Sequence, residues 1–397
     1  MMGGNRDRLS RVVLKKDIKR RVLNGHPWIY DNEIERIEGD LEDGSLVDVF
    51  TFAGQFIGRG YINRLSKITI RLLTRKPEEI DTNFWKRRVI EALKNRYQLV
   101  KENAFRVLFG EADGVPGLIV DKFSDYLVLQ VNTLGIYKRL ESILPALLET
   151  LNPSGVFVIM EGSSIQKEGL EEQKYWIYGS GPELIPYEVN GIKFLADLKG
   201  QKTGAFLDQR ENAKMLSQFA HGRVCLDCFS YTGNFGMHLL KHGAKHVTFV
   251  DYSERALAVA REVAKLNGFT NCDFVVANAF DFLKKLYGES KLFDLIVLDP
   301  PSFAKSAANR ESAYKGYKEI NYRSMKLLRN DGILATSSCT QVISQQEFEN
   351  ILVDAGTDAR VVMRILHRGG QPLDHPQIYN ILETMYLKFL ILQISHL

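Results

Sequence analysis

Five segments predicted to be buried strands each end in a residue that can take part in chemistry. These residues are Asp227, Asp251, Asn278, Asp299 and Cys339, and each follows a short apolar run. The carboxyl ends of parallel strands lie at one edge of a sheet, which is where α/β proteins build their ligand sites. Carboxylates, an amide and a thiol at one edge predict an active site with a nucleophile and an acid-base group.

Cys339 is the candidate nucleophile. The polar neighbours Ser337, Ser338 and Thr340 indicate that the chain leaves the core there. A lone cysteine is more often a core residue, and that alternative stays open. With a pKa of about 8.5 a few per cent of the thiol is thiolate at neutral pH, and a thiolate can add to carbon 6 of cytosine. That addition turns carbon 5 into a nucleophile towards an electrophilic methyl group.

Asp299 is followed by two prolines that end the strand. Pro300 and Pro301 fix φ and lack N–H donors, so a rigid loop leaves the carboxylate pointing into the cleft. There Asp299 can hydrogen-bond or protonate nitrogen 3 of a pyrimidine. The loop is similar to the D/N-P-P-Y/F loop of many methyltransferases, although Phe303 lies two residues beyond Pro301. A strand that simply ends at prolines is the alternative.

A βαβ unit over residues 223–251 must position these groups. A dinucleotide site would need three glycines in its first loop, whereas only Gly233 stands there among bulky and acidic neighbours. Such a loop suits a cationic, phosphate-free cofactor with a ribose, and S-adenosylmethionine fits, with Asp251 facing the ribose. NAD or another nucleotide, and a unit without ligand, are the alternatives. The predicted contacts are Asp227, Phe229, Ser230, Tyr231, Thr232, Gly233 and Asp251.

Two further segments are predicted to reach the same pocket. A strand ending at Leu207 would lead into a helix begun by Asp208, which places Gln209 and Arg210 over the cofactor or leaves them as plain first-turn residues. Asn278 and Ala279 follow the third strand of the sheet, where a polar side chain can recognise an adenine amino group.

The first 76 residues carry the excess positive charge. They hold 15 Lys and Arg against 10 Asp and Glu, whereas the 397-residue chain has a net charge of +4. Short β-like runs predict a small β-barrel, with a basic helix over residues 15–23. The stretch KRRVLNGHPWIYDNEI resembles the start of the RNA-binding PUA domain. This favours RNA as the partner over a merely solvated basic surface.

Six sequence blocks together resemble one known family. They are DQR at 208–210, LDCFSYTGNF at 226–235, DPPSFAKS at 299–306, GYKEIN at 316–321, ATSSCT at 335–340 and DHP at 374–376. In this order they are similar to the PUA-containing cytosine-5 methyltransferases of large-subunit ribosomal RNA. The resemblance implies Cys339 as the nucleophile, Asp299 as the Asp-Pro-Pro aspartate, and cofactor contacts at the residues named above, Asp299 included.

Some positions depart from that family. Relatives commonly have an acidic residue where Asn278 stands, and residues 377–383 diverge from the usual approach to the last strand. Pro301 stands where a broader family of RNA cytosine-5 methyltransferases keeps a second cysteine for product release, so release must proceed differently. The sequence names no base for the carbon 5 proton. Lys305 and His375 fit phosphate contacts and ordinary surface positions equally well.

The fold class implied is α/β, a Rossmann-like class I methyltransferase domain preceded by a small β-barrel (PUA) domain and an α+β insert. The predicted boundaries are 1–76, 77–185 and 186–397. The N-terminal stretch lacks an apolar core, which argues against a signal peptide or membrane anchor and for a cytoplasmic protein. Cys225 and Cys228 form a lone C-x-x-C, so we expect buried packing and no metal. The oligomeric state is open, with a homodimer as one option.

Three functions are therefore under consideration. The main hypothesis is an S-adenosylmethionine-dependent enzyme that forms 5-methylcytosine in large-subunit ribosomal RNA through a cysteine adduct at carbon 6. The second is an RNA methyltransferase acting on an exocyclic base amine, with Cys339 merely packed. The third is a non-catalytic RNA-binding assembly factor that keeps an inactive cofactor pocket.

Overall fold

The computed structural model describes residues 9–304 and 306–397. The chain forms two compact units. Unit 1 contains the chain up to Pro182 together with Leu373–Thr384, and unit 2 contains Glu183–Pro372 together with Met385–Leu397. Lys305 lies outside the described residues. None of the helices in the described residues is both long enough and apolar enough to cross a membrane.

A six-stranded sheet forms the first part of unit 1. Its elements are β1 (Ser10–Leu14), α1 (Arg20–Leu23), β2 (Trp28–Ile29), β3 (Ile34–Glu38), β4 (Leu46–Phe50), β5 (Phe56–Ile62) and β6 (Ile70–Thr74). The order is β2-β6-β5-β4-β1-β3, antiparallel except for the β1–β4 pair. The helix predicted for residues 15–23 shrinks to α1, because the backbone is still extended at Lys19.

A five-stranded sheet with helices forms the rest of unit 1. Its elements are α2 (Thr82–Leu99), β7 (Ala104–Phe109), β8 (Leu118–Phe123), β9 (Tyr126–Val131), α3 (Leu134–Tyr137), α4 (Leu140–Leu151), β10 (Gly155–Met160), α5 (Ser163–Lys167) and β11 (Gln173–Gly179). The order is β11-β10-β9-β8-β7. The helix α2 begins after an N-cap residue, Asp81, whose carboxylate accepts a hydrogen bond from the Phe84 N–H at 2.8 Å.

The DHP sequence packs inside unit 1. The Asp374 carboxylate accepts a hydrogen bond from the Arg106 N–H at 2.8 Å, and the Arg96 guanidinium donates to the Asp374 carbonyl at 3.2 Å. The His375 side chain is only 1% exposed and its Nδ1 lies 3.0 Å from the Asp374 carboxylate. Both sequence readings of His375 were therefore wrong, because a buried ring neither faces solvent nor reaches a phosphate.

Unit 2 is an α/β fold built on a seven-stranded sheet. Its elements are β12 (Leu184–Val189), β13 (Ile192–Asp197), α6 (Arg210–Ser217), β14 (Val224–Cys228), α7 (Asn234–Lys241), β15 (His246–Asp251), α8 (Glu254–Leu266), β16 (Cys272–Val276), α9 (Ala279–Gly288), β17 (Phe293–Leu298), α10 (Arg310–Leu327), β18 (Leu328–Ser338), α11 (Gln345–Ala359), β19 (Val361–Gly369) and β20 (Lys388–His396). The strands β12 and β13 form a separate hairpin.

The strand order of the large sheet creates the expected crevice. The order is β16-β15-β14-β17-β18-β20-β19, and β20 runs in the direction opposite to the other six strands of this sheet. The chain winds outwards from β14 in one direction and from β17 in the other, so the strand order reverses between these two strands. Ligands of open α/β sheets bind at the carboxyl ends of the strands beside such a reversal.

One local prediction in unit 2 was wrong. No strand leads to Leu207; instead the chain turns and enters a short 3₁₀ helix, Leu207–Gln209, which continues into α6. Lys202 and Gly204 have φ angles of +49° and +100°, which an extended strand does not allow. The turn of the β12–β13 hairpin has positive φ angles at Asn190 and Gly191, as the Asn-Gly sequence favours.

Candidate active site

The register of the sheet brings the predicted strand ends to one edge. Cys228 at the end of β14 pairs with Val250 of β15 and Leu298 of β17, and Leu298 pairs with Thr336 of β18. Asp251 and Asp299 follow their partners directly, and Cys339 comes just beyond β18. The residues predicted from the sequence to share an edge therefore do so.

The loop after β14 is held in a strained conformation. Phe229 and Tyr231 have φ angles of +61° and +47°, and Gly233 has +92°. Left-handed backbone costs a residue with a side chain about 1 kcal/mol or more, and such strain concentrates at ligand sites. The loop is stabilised by hydrogen bonds from the Ser230 N–H to Val250 O at 3.1 Å and from the Gly233 N–H to Ser230 O at 2.8 Å.

Asp251 ties this loop to the next strand. One carboxylate oxygen accepts a hydrogen bond from the Tyr231 N–H at 2.9 Å and the other from the Ser253 N–H at 2.8 Å. An ionised carboxylate has about four lone-pair sites, so two remain for further donors. The geometry is compatible with the predicted contact to ribose hydroxyls.

Asp227 and two neighbours leave buried polar atoms without partners. Asp227 Oδ2 accepts a hydrogen bond from the Gly236 N–H at 2.9 Å. Within the described part of the chain, Asp227 Oδ1, Ser230 Oγ and Asn234 Nδ2 are buried and have no partner. Burial raises the pKa of Asp227 to about 8, a shift that the Gly236 hydrogen bond reduces. Because unsatisfied buried groups are costly, three of them around one loop indicate that a polar ligand binds there.

The other residues predicted to contact the cofactor differ in how far they are buried. Gln209 is buried, but its amide nitrogen donates to Asp299 Oδ1 at 2.8 Å. Arg210 is also buried, with Nε 3.3 Å from a Glu211 carboxylate oxygen. Asn278 is exposed and caps α9, its side-chain oxygen accepting from the Phe280 N–H at 2.9 Å. Thr232 and Ala279, which also belong to the predicted set of cofactor contacts, are both buried.

The Asp299 carboxylate is held on one side. Gln209 Nε2 and the Ser337 hydroxyl both donate to its Oδ1. Burial and, less strongly, the nearby Asp208 charge raise the pKa of Asp299 to about 6 against the opposing effect of the Ser337 and Gln209 hydrogen bonds. Since both donors use Oδ1, Oδ2 is the atom that can carry a proton for a ligand.

The Cys339 thiol lies beside the same loop. Its Sγ is 4.0 Å from the Pro300 carbonyl, the residue directly after Asp299. Burial raises the pKa of Cys339 to about 11, with Lys202 and Lys388 lowering it and the Asp299 charge raising it. The expectation of a few per cent thiolate at neutral pH was therefore wrong for the free protein.

Phe303 belongs to an aromatic cluster. Its ring centroid lies 4.6 Å from that of Tyr317, 5.6 Å from Phe280 and 6.4 Å from Phe229. The cluster connects the Asp-Pro-Pro loop to α10 and to the loop after β14, residues 229–233, which we call the cofactor loop. Phe303 is only partly buried, so one part of the ring remains accessible for contact with a ligand.

Lys388 lies next to Cys339, although nothing in the sequence predicted it to be near the site. It begins β20 and pairs with Ser338 of β18, and its Nζ donates to the Thr340 and Tyr386 carbonyls. Its signal in the sequence is a single lysine inside the apolar run at 385–394. Within the ranges described, no group of three or more His, Cys, Asp or Glu side chains is arranged to hold a metal ion.

Two sequence families match the chain. Residues 12–75 match a PUA-like domain, and residues 165–382 match an S-adenosylmethionine-dependent methyltransferase. The ribosomal RNA large subunit methyltransferase I of Aeromonas salmonicida is 38% identical over 391 residues, which is 96% of this chain and 98% of that protein. The protein of the same name from Tolumonas auensis is 37% identical with the same coverage.

Solved structures share the fold. A candidate S-adenosylmethionine-dependent methyltransferase from Streptococcus mutans has a TM-score of 0.82 at 20% identity, covering 96% of this chain and 99% of its own. A candidate methyltransferase complexed with SAH has a TM-score of 0.83 at 21% identity with the same coverage. At this identity the likeness extends to the fold and supports the PUA-like plus Rossmann-like architecture.

Proposed function

The chain belongs to the S-adenosylmethionine-dependent methyltransferases related to ribosomal RNA large subunit methyltransferase I, and we propose that it forms 5-methylcytosine in large-subunit ribosomal RNA. The observation that carries the proposal is the closeness of the Cys339 thiol to the loop that bears Asp299. A nucleophilic sulfur and a proton donor side by side suit attack on a pyrimidine ring. We place the enzyme in the cytoplasm, with RNA as its partner.

The cofactor loop supplies the cradle for S-adenosylmethionine. The cofactor, when bound, provides an electrophilic methyl group on a sulfonium. Asp227 Oδ1 and the Ser230 hydroxyl are the buried polar atoms that would receive its polar and cationic groups, and Asp251 would accept from the ribose. A carboxylate that costs free energy in the empty fold regains it when a cation neutralises it.

Cys339 and Asp299 act on the base. The Cys339 sulfur, as thiolate, would form a bond to carbon 6 of cytosine, and the π electrons of the carbon 5–carbon 6 bond would shift through carbon 4 so that charge develops on nitrogen 3. Asp299, protonated on Oδ2, would donate its proton to nitrogen 3 and so neutralise that charge. Carbon 5 of the resulting enamine would take the methyl group as the bond between methyl and sulfonium breaks, and the Asp299 carboxylate would take back the nitrogen 3 proton. Loss of the carbon 5 proton would then restore the double bond and expel the Cys339 sulfur.

Unit 1 would supply the RNA-binding surface. Its first 76 residues carry the basic excess, and the PUA-like match lies within them. Basic side chains bind RNA through phosphate contacts that weaken as salt rises. The large-subunit ribosomal RNA is proposed as substrate because the relatives with 37% and 38% identity carry that substrate in their names.

Substitution of the thiol tests the proposal. We expect Cys339→Ala to lose methylation of unmodified large-subunit ribosomal RNA in a tritiated-methyl assay, while it still binds S-adenosylmethionine in calorimetry. Cys272→Ala is the matched control, because Cys272 begins β16 at the amino end of the sheet. RNA containing 5-fluorocytosine should trap a covalent complex with the unsubstituted enzyme and none with Cys339→Ala. Full activity of Cys339→Ala would refute the thiol mechanism.

One observation favours a second candidate. The raised pKa of Cys339, about 11, is typical of a packed cysteine, which is what methylation of an exocyclic amine would require. In that reaction the Asp-Pro-Pro loop holds the base and the thiol is a bystander. Digestion of the product RNA to nucleosides and mass spectrometry separates 5-methylcytosine from a methylated amine.

A further inference from the structure

Lys388 occupies an unusual position for a lysine. It is 7% exposed, and it begins the antiparallel strand that returns beside β18. Its ammonium group donates to the carbonyl of Thr340, the residue directly after Cys339, and to the Tyr386 carbonyl at 2.9 Å. The side chain thus joins the end of β18 to the start of β20. Burying an ammonium group is unfavourable unless hydrogen bonds and nearby negative charge compensate for its lost hydration.

Packing alone does not explain a lysine at this position. A methionine would fill a similar volume without a buried charge, and the rest of β20 is strongly apolar. The ionisable groups that interact with Lys388 are Glu347 and, when it is a thiolate, Cys339, and each in its negative form favours the charged form of Lys388. The interaction with Cys339 is mutual, because the Lys388 charge also favours the thiolate of Cys339.

Four charged groups surround the thiol. Lys202 and Lys388 favour its ionisation, whereas Asp299 and Asp208 oppose it. Lys202 lies at a turn and its ammonium sits 5.0 Å from the centre of the Phe206 ring. Lys388, by contrast, is fixed in the sheet by two carbonyls. A charge held in place stabilises a developing anion effectively, because no reorganisation is needed when the anion forms.

We propose that Lys388 is a positioning residue for Cys339: it fixes the chain at Thr340 and stabilises the negative charge on the sulfur through its buried ammonium group. The role of this charge in methylation rests on the proposed function of Cys339 as nucleophile. The effect of Lys388 on the thiol itself does not depend on that function, so the two can be tested separately.

The test compares variants that separate charge from hydrogen bonding. Lys388→Gln keeps an N–H donor for the two carbonyls and removes the charge, whereas Lys388→Arg keeps the charge. Lys284→Met, which changes an exposed lysine of α9, is the matched control. The rate of Cys339 alkylation by iodoacetamide is measured between pH 6 and 11 by mass spectrometry of the peptide that contains it, and the fold is checked by circular dichroism.

We expect Lys388→Gln to move the alkylation profile to higher pH by about one unit, which is the low end of the effect of one nearby charge on a pKa. At pH 7, where most Lys388 side chains are charged, this lowers the alkylation rate about tenfold, and methylation should fall by a similar factor. The pKa of Lys388, lowered by burial, is about 8, so the unsubstituted enzyme should lose part of this assistance above pH 8, whereas Lys388→Arg should not.

An unchanged alkylation profile in a folded Lys388→Gln protein would overturn the proposal, as would a profile of Lys388→Arg that matches Lys388→Gln. If Lys388→Gln does not fold, the contrast between Lys388→Arg and the unsubstituted enzyme above pH 8 decides the question. A shifted profile with unchanged methylation would overturn the role in the reaction. The activity of Cys339→Ala alone decides the proposed function, so the two failures are distinguishable.

Discussion

Replacing Asp227 by asparagine should remove a pH-dependent destabilisation of unit 2 and weaken the binding of S-adenosylmethionine. Asp227 is 1% exposed, and burial raises its pKa from an ordinary 3.8 to about 8. Between these two values the folded protein holds a proton that the unfolded chain has lost. The free energy of unfolding therefore falls as the pH rises through this range, by about 1.4 kcal/mol per pH unit.

The range from pH 6.5 to 8 isolates this group. His238, with its pKa lowered to about 4 by burial, changes the stability only between pH 4 and 6.5. Asp299 changes the stability between pH 3.8 and 6, and Lys388 changes it between pH 8 and 10.5. Over this window Asp227 should therefore cost the unsubstituted protein about 2 kcal/mol of stability, a slope that Asp227→Asn lacks.

Urea unfolding provides the measurement. The three tryptophans lie in unit 1, so unit 2 is followed by pulse labelling of the buried thiols Cys225 and Cys228 at a fixed labelling pH. Asp281→Asn, at an exposed position of α9, should keep the unsubstituted slope. Calorimetry should give at least a tenfold weaker Kd for S-adenosylmethionine with Asp227→Asn and no change with Asp281→Asn. Parallel slopes for Asp227→Asn and the unsubstituted protein would refute the reasoning.

Two further substitutions test the packing of unit 2 and the role of Asp299. In Gly236→Ala the new Cβ would lie 2.1 Å from the Phe249 ring, so we expect unit 2 to lose about 3 kcal/mol in the same urea titration. Gly288→Ala, where a Cβ meets no atom within 4 Å, should be neutral or slightly stabilising, and equal midpoints for the two variants would contradict this. Asp299→Asn should lower the alkylation midpoint of Cys339 by up to about one pH unit, because a negative charge is removed, and yet abolish methylation. Retained methylation would exclude Asp299 as the proton donor.

The sequence predicted the strand ends well because parallel sheets give them a local signal. Asp251 and Asp299 each follow an apolar run, and a continuous run of this kind is typical of a strand buried on both faces. Lys388 had no comparable signal. It reaches the site only because β20 returns antiparallel beside β18, and this pairing connects residues about fifty positions apart. The strand expected before Leu207 is absent although its sequence carries a local signal, because the chain turns with a positive φ angle at Lys202.

The charges around Cys339 bear on its proposed role as a nucleophile. Burial is the main cause of its raised pKa of about 11, and the ionised Asp299 carboxylate contributes to the same shift. When Asp299 is protonated, which its own pKa of about 6 allows in about one molecule in ten at pH 7, that contribution disappears. The same proton is the one that nitrogen 3 of the base needs. In the proposed mechanism, protonation of Asp299 therefore favours both the thiolate and the activated ring, and we expect attack and proton donation to be coupled through this one carboxyl group.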